Sequence, residues 1–162
     1  MTTNRATSIE NLQRALGMEL AAANQYLLHA HIMDDWGLDL LAAKMREEVQ
    51  EELAHASAFI ERILFLGGKP NLTPEKTPEQ AESLEQMFKA DLEDEKAAIV
   101  FYSEAAQTAM DDGDIGTRLA FEQAAVDEEG HMGWLDLQLN LLKRMGEPAY
   151  TAKHMSDGGA PE

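Results

Sequence analysis

The 162-residue chain contains no cysteine. Disulfides, zinc–thiolate sites, iron–sulfur clusters and catalytic thiols are therefore excluded. Positive charge is scarce: 13 Lys and Arg stand against 30 Asp and Glu, a formal net charge of −17. Phosphate backbones and anionic membrane surfaces are bound through Lys and Arg, so neither nucleic acid nor membrane is an expected partner, whereas cations are. No apolar run approaches the roughly 18 residues of a transmembrane helix. The polar start Met1–Ser8 leads into no apolar segment, so no signal peptide is expected and the expected location is cytoplasmic. Aromatic residues are only 6% of the chain although hydrophobic residues are 44%. The remaining apolar content is mostly Ala, Leu, Met and Ile, which together with abundant Glu favours helix. No β-alternating run competes. The reading is one all-α domain over residues 1–162.

Punctuation divides the chain into four long segments. Thr7 and Glu10 form a capping-box pattern at the first helix start, and that helix runs to about Trp36 with Gly37 at the break. A second helix spans about Leu38–Leu66 and stops at Gly67-Gly68. Residues 67–78, with two glycines and three prolines, read as a connection. Thr77-Pro78 with Gln80 predicts the third helix start. That helix runs to about Met110, and Asp111–Asp114 makes a turn. The fourth ends at Gly146 with Pro148 just beyond. A short turn or helix over Ala149–Met155 and a mobile tail from about 156 to 162 complete the reading. Helices of about 28–32 residues are roughly 45 Å long. Four of them with short turns predict a four-helix bundle over about residues 8–146.

Each helix carries an apolar stripe at 3–4 spacing, and each stripe is interrupted by charge. Glu19 interrupts the first helix, Glu52 and His55 the second, Glu95 the third, Glu128 and His131 the fourth. An unpaired buried carboxylate costs several kcal/mol or neutralises itself by taking up a proton. Two divalent cations would offset four carboxylates.

An internal repeat strengthens the case. Glu19–Glu95, Tyr26–Tyr102, Gly37–Gly113, Glu52–Glu128 and His55–His131 are all 76 residues apart. Glu19 lies 18 residues before Gly37 and His55 lies 18 after it; Glu95 and His131 bracket Gly113 in the same way. In an antiparallel hairpin each pair falls at one depth, roughly 27 Å from its turn. Within each Glu-x-x-His the i, i+3 spacing aims both side chains at one point. Oxygen and imidazole donors without thiolate suit iron or manganese.

The segments Glu19-Leu20, Asn24-Gln25-Tyr26, Trp36-Gly37, Glu51-Glu52, His55-Ala56, Ile60–Leu66, Pro70-Asn71-Leu72 and Asp127–His131 resemble the bacterioferritins, within the ferritin-like superfamily, over about residues 8–150. The resemblance implies a ferritin-like four-helix bundle with a long B–C crossover between the second and third helices and a short C-terminal segment. It implies a shell of 24 identical subunits that oxidises Fe(II) with oxygen or peroxide and stores ferric mineral. Carried over, Glu19 and His55 would be terminal ligands of one iron, Glu95 and His131 of the other, with Glu52 and Glu128 bridging. Tyr26 matches a tyrosine that can give an electron. Glu47 and Glu51 fall where the family holds iron at the inner surface. A ferredoxin or other reductase for iron release is implied as a partner. The family holds haem b between paired methionines directly after the first Glu of the motif. Leu53 stands there, so haem b is expected to be absent or bound in another way.

Rival readings are a di-iron or di-manganese oxidase or peroxidase on the same bundle, and a non-enzymatic acidic helical scaffold. His29, His31 and His154 have no partner at ligand spacing and read as surface or interface residues; Trp36 and Trp134 read as packing or subunit-contact residues.

Overall fold

The computed structural model describes residues 3–156. It contains α1 (Thr3–Asp35), α2 (Asp39–Phe65), α3 (Leu84–Asp111), α4 (Ile115–Met145) and the short α5 (Glu147–Lys153). The tail expected at about 156–162 falls, from residue 157 on, outside the described residues. None of these helices is long and apolar enough to cross a membrane.

α1 and α2 form one antiparallel hairpin, α3 and α4 the other. Each hairpin turns on a glycine at the corresponding repeat position, Gly37 with φ +78° and Gly113 with φ +72°. Any side chain would be strained in that left-handed conformation, so both turns require glycine. The two hairpins pack with α1 against α3 and α2 against α4. The Tyr26 hydroxyl meets Glu95 and the Tyr102 hydroxyl meets Glu19, so α1 and α3 are antiparallel. With α1 antiparallel to both, α2 and α3 run parallel, and the chain between them must travel the length of the bundle. The spacing alone also allowed a simple up-down bundle; these contacts select the crossover.

The crossover is held along α1. The Gln13 amide donates to the Asn71 carbonyl (2.6 Å) and accepts from the Asn71 amide (2.8 Å). Gln25 clasps Glu79 in the same way, at 2.8 Å for both bonds. Between them the Glu75 amide reaches the Gly17 carbonyl at 2.8 Å. Thus eight residues of crossover track twelve residues of helix, about 18 Å of rise.

Three boundaries differ from the sequence reading. α1 is already helical at Thr3, so Thr7 lies inside the helix instead of capping it. The next residue, Ser8, turns inward and its hydroxyl bonds Asp114 at 2.9 Å. α3 starts at Leu84, where Ser83 accepts from the Gln86 amide. Thr77–Gln80 is drawn instead into the crossover because Gln25 holds Glu79 extended against α1. α5 is a single short helix whose Tyr150 is fully buried and donates to Gln138 at 2.8 Å.

The buried side chains form two apolar clusters. One, at the Gly37 end, includes Met33, Leu41, Met45, Phe88, Leu135 and Tyr150. The other includes Leu12, Leu16, Phe59, Ile63, Tyr102 and Phe121. The charged residues of the four stripes lie between them.

The cap assignment is testable. Ser83→Ala should lower stability by about 1 kcal/mol, whereas exposed Thr77→Ala should change it by less than about 0.5 kcal/mol. Urea unfolding followed by circular dichroism measures both. A larger loss for Thr77→Ala would contradict the observed helix start.

Candidate metal centre

The packing brings together the six charged residues that interrupt the stripes. Glu19, Glu52 and Glu128 are each 1% exposed, Glu95 5% and His131 7%. Their donor atoms fall into two groups, each with all atoms within 4.8 Å of one another: Glu19, Glu52, His55 and Glu128, then Glu52, Glu95, Glu128 and His131. The groups share Glu52 and Glu128. Nδ1 of His55 lies 3.5 Å from Glu19, 3.5 Å from Glu52 and 3.4 Å from Glu128. Nδ1 of His131 lies 2.8 Å from Glu128, 3.3 Å from Glu52 and 3.8 Å from Glu95.

Close approach is not hydrogen bonding here. Both Glu52 oxygens, Glu128 Oε2 and Nδ1 of both histidines are buried without a hydrogen-bond partner. Buried polar atoms are ordinarily satisfied. Five orphaned donor atoms converging from two helices, α2 and α4, have the character of a binding site for cations, and a set of carboxylate oxygens and imidazole nitrogens fits a pair of iron ions.

The protonation pattern agrees. Burial raises Glu19 and Glu95 well above the usual carboxylate range, and their acidic neighbours add to it. Burial also pushes Glu128 up, but contacts with His131 and His55 outweigh it and hold the carboxyl at about 2. Burial opposes imidazolium at His55 and His131, yet the surrounding carboxylates overcome it and raise both far above the ordinary histidine range. Without metal, the cluster therefore balances its charge with protons, which cations must displace.

The outer nitrogens of the histidines have partners that sequence reasoning did not name. Nε2 of His55 contacts Asp127 at 3.1 Å, and Nε2 of His131 contacts Glu51 at 2.9 Å. Asp127 and Glu51 are themselves 76 residues apart, so each hairpin lends a carboxylate to the histidine of the other. An Nε2–H donated outward leaves the Nδ1 lone pair facing the centre. Tyr102 was also missed as a neighbour of the centre, although it is the repeat mate of Tyr26. Its hydroxyl donates to Glu19 at 2.5 Å, as that of Tyr26 donates to Glu95.

Of the two inner-surface candidates, Glu51 joins Glu48 and His131 in a third group of converging donors. Glu47 lies outside these groups, exposed, 3.7 Å from Lys44. Buried Glu48 is the additional member; it lies at 3–4 spacing between Met45 and Glu52, so the inward stripe of α2 was the signal that could have found it. Leu53 is 43% exposed on α2, pointing away from the centre.

The histidines outside the motif separate. His31 is exposed as expected, and His154 is half-buried against the Tyr150 ring at 4.3 Å. His29 is not a surface residue: it is 1% exposed, with Nδ1 3.0 Å from buried Asp91 and Nε2 2.8 Å from Gln25. Both partners come from α1–α3 packing and local helix geometry, which satisfies the ring without a metal. Trp134 packs edge-on against Phe88 at 5.8 Å, and Trp36 is 38% exposed.

Two antiparallel hairpins, a lengthwise crossover and a carboxylate–histidine centre between them define a ferritin-like helical domain, and residues 9–145 match the ferritin-like domain family. The chain is 40% identical to the bacterioferritin of Brucella melitensis over 142 residues, 88% of each chain. It is 38% identical to that of Rhodobacter capsulatus over 157 residues, 97% of this chain and 98% of the other. The solved Rhodobacter structure, described with a metal-free dinuclear site and haem iron, superposes with a TM-score of 0.92 over 96% of this chain and 98% of its own. A Mycobacterium tuberculosis bacterioferritin superposes at 0.89 with 33% identity, over 93% of this chain and 94% of its own. The chain belongs to the bacterioferritin family.

Asp127→Asn should weaken Co(II) binding by about 10–100-fold, the usual cost of losing an outer partner of a metal-bound histidine. Because cations displace protons from Glu19, Glu95, His55 and His131, binding should weaken as pH falls and should release protons. Co(II) absorbance titrations at two pH values, with proton release in weak buffer, measure both. Unchanged affinity in Asp127→Asn would remove the assigned role of that carboxylate.

Proposed function

We propose that this chain is an iron-storage ferroxidase that oxidises Fe(II) within each subunit and holds the ferric product in a hollow shell. The supporting observation is the pair of four-residue donor groups that share Glu52 and Glu128 inside a single chain. A centre built between subunits would need ligands from two copies; this one needs one bundle.

In this reading Fe(II) is the substrate, and a bound pair of Fe(II) ions gives electrons to dioxygen or peroxide. The protein side of the reaction is positioning. Glu52 and Glu128 lie between the two halves of the site and serve as bridging ligands. Glu19 with His55 and Glu95 with His131 are the terminal ligands. Tyr102 and Tyr26 hold the terminal carboxylates in place by hydrogen bonds, and Tyr26 can also give an electron. Asp127 and Glu51 fix the histidine tautomers. The flanking apolar clusters restrict water, so charge inside the centre acts strongly.

The reading includes a homo-oligomeric shell of 24 chains. Exposed Leu27, Leu53, Leu64, Phe65, Leu119 and Val126 are available for contacts between copies. The formal charge of −17 per chain would draw Fe(II) toward openings and cavity. Glu47 and Glu51, with Glu48, would carry iron on the inner surface beyond His131. Iron release would draw electrons from a ferredoxin or other reductase. Leu53 offers no sulfur, so haem b is not held by that residue. A cytoplasmic location fits a chain that lacks cysteine and needs no oxidising compartment.

Two outcomes test the reading. Glu52→Ala combined with Glu128→Ala should abolish rapid Fe(II) oxidation in air while circular dichroism stays helical; oxidation at the wild-type rate would reject the ligand assignment. The intact protein should elute at about 430 kDa, as expected for a closed assembly of 24 chains of 17.9 kDa. Elution as a monomer or dimer would favour a free-standing oxidase. Its visible spectrum should lack a Soret band.

A further inference from the structure

The centre has two phenols, and the ferroxidase reading assigns an electron to only one. Tyr26 and Tyr102 are 76 residues apart, one on α1 and one on α3. Each hydroxyl donates to the terminal carboxylate carried by the other hairpin: Tyr26 to Glu95 Oε1, Tyr102 to Glu19 Oε1. Tyr26 is 3% exposed and Tyr102 1%. The Glu19 oxygen that faces His55 is Oε2, so the oxygen that takes the Tyr102 hydrogen bond is the one turned from the histidine. A phenol hydrogen-bonded to a carboxylate can lose its proton along that bond as it loses an electron. The surroundings of Tyr102 also suit a one-electron donor. Its ring packs against Phe59 at 5.8 Å, Phe101 at 5.8 Å and Phe121 at 5.9 Å, an apolar nest in which a neutral radical is shielded from solvent.

We propose that Tyr102 is a second electron donor to the centre, acting opposite Tyr26, so that the two phenols together complete the reduction of dioxygen to water. The inference rests on the ferroxidase reading. Converting one dioxygen to two waters takes four electrons and four protons. Two Fe(II) ions becoming Fe(III) give two electrons. Tyr26 and Tyr102 give one electron each; the phenol O–H bonds break, the protons pass to Glu95 and Glu19, and two neutral phenoxyls remain. The four protons of the waters come from solvent. Two further Fe(II) ions then return one electron to each phenoxyl, and the protons return from the carboxylates. The sum is four Fe(II) oxidised per dioxygen, with no peroxide released. With both phenols removed, two Fe(II) ions can carry dioxygen only to hydrogen peroxide.

The test is rapid-freeze EPR on the full-length protein. Anaerobic protein is loaded with two Fe(II) per chain and mixed with oxygenated buffer, as wild type, Tyr26→Phe, Tyr102→Phe and the double variant. Released hydrogen peroxide is measured in parallel. A phenoxyl signal in each single variant, its loss in the double variant, and peroxide highest in the double variant are expected. Tyr26→Phe that oxidises iron but shows no phenoxyl signal beyond that of the double variant would overturn the proposal and leave Tyr102 as a positioning residue for Glu19. Failure of wild-type protein to oxidise Fe(II) at all would instead overturn the ferroxidase reading beneath it.

Discussion

Four carboxylates in one protein core repel one another and cannot be left uncompensated. Everything around the centre follows from how that repulsion is managed. In the metal-free protein, protons on the carboxylates and imidazoles bear the balance: Glu19 and Glu95 are raised by burial, and the two histidines by the carboxylates around them. Such a cluster is costly for stability, and a core of well-packed apolar residues would hold the fold at least as well. The apolar clusters on either side tolerate it by remaining densely packed, with Leu12, Leu16, Phe121, Met33, Met45 and Phe88 fully buried. The charge is therefore retained at the expense of stability, as is expected of a site that works on cations.

The repeat gives the centre its symmetry, and the symmetry is crossed. Each hairpin carries a tyrosine, a terminal glutamate, a central glutamate and a histidine, but the bonds run from one hairpin to the other. Tyr26 holds Glu95, Tyr102 holds Glu19, Asp127 holds His55 and Glu51 holds His131. Neither hairpin can assemble its half of the site alone. Docking of the hairpins and formation of the centre are one event, and the crossover clasped by Gln13 and Gln25 sets the orientation in which it happens.

Much of this was legible in the residues. Stripes at 3–4 spacing placed Glu19, Glu52, Glu95, Glu128 and His131 among buried neighbours, because helix periodicity reports which face a side chain shares. Gly37 and Gly113 marked the turns because a left-handed backbone excludes other residues. The helix starts were less legible. Thr7 and Thr77 have good capping chemistry, but capping contributes only about 1 kcal/mol. Packing of Ser8 on Asp114 and the hold of Gln25 on Glu79 prevail over it. His29 showed no ligand-spaced partner, and its actual partner Asp91 lies 62 residues away.

The sequence by itself determined that the chain is helical, where it turns, and which charged residues face inward at equal depth. These are local properties, set by backbone preference and by the period of one helix. The tertiary structure alone decided which helix lies beside which, and hence the crossover, the outer carboxylates on the histidines, the place of Glu48 and the matching of Tyr102 to Glu19. Those contacts join residues 54 to 83 positions apart, and no helical period connects them. They exist only once buried charge and apolar surface have selected one way for the two hairpins to dock.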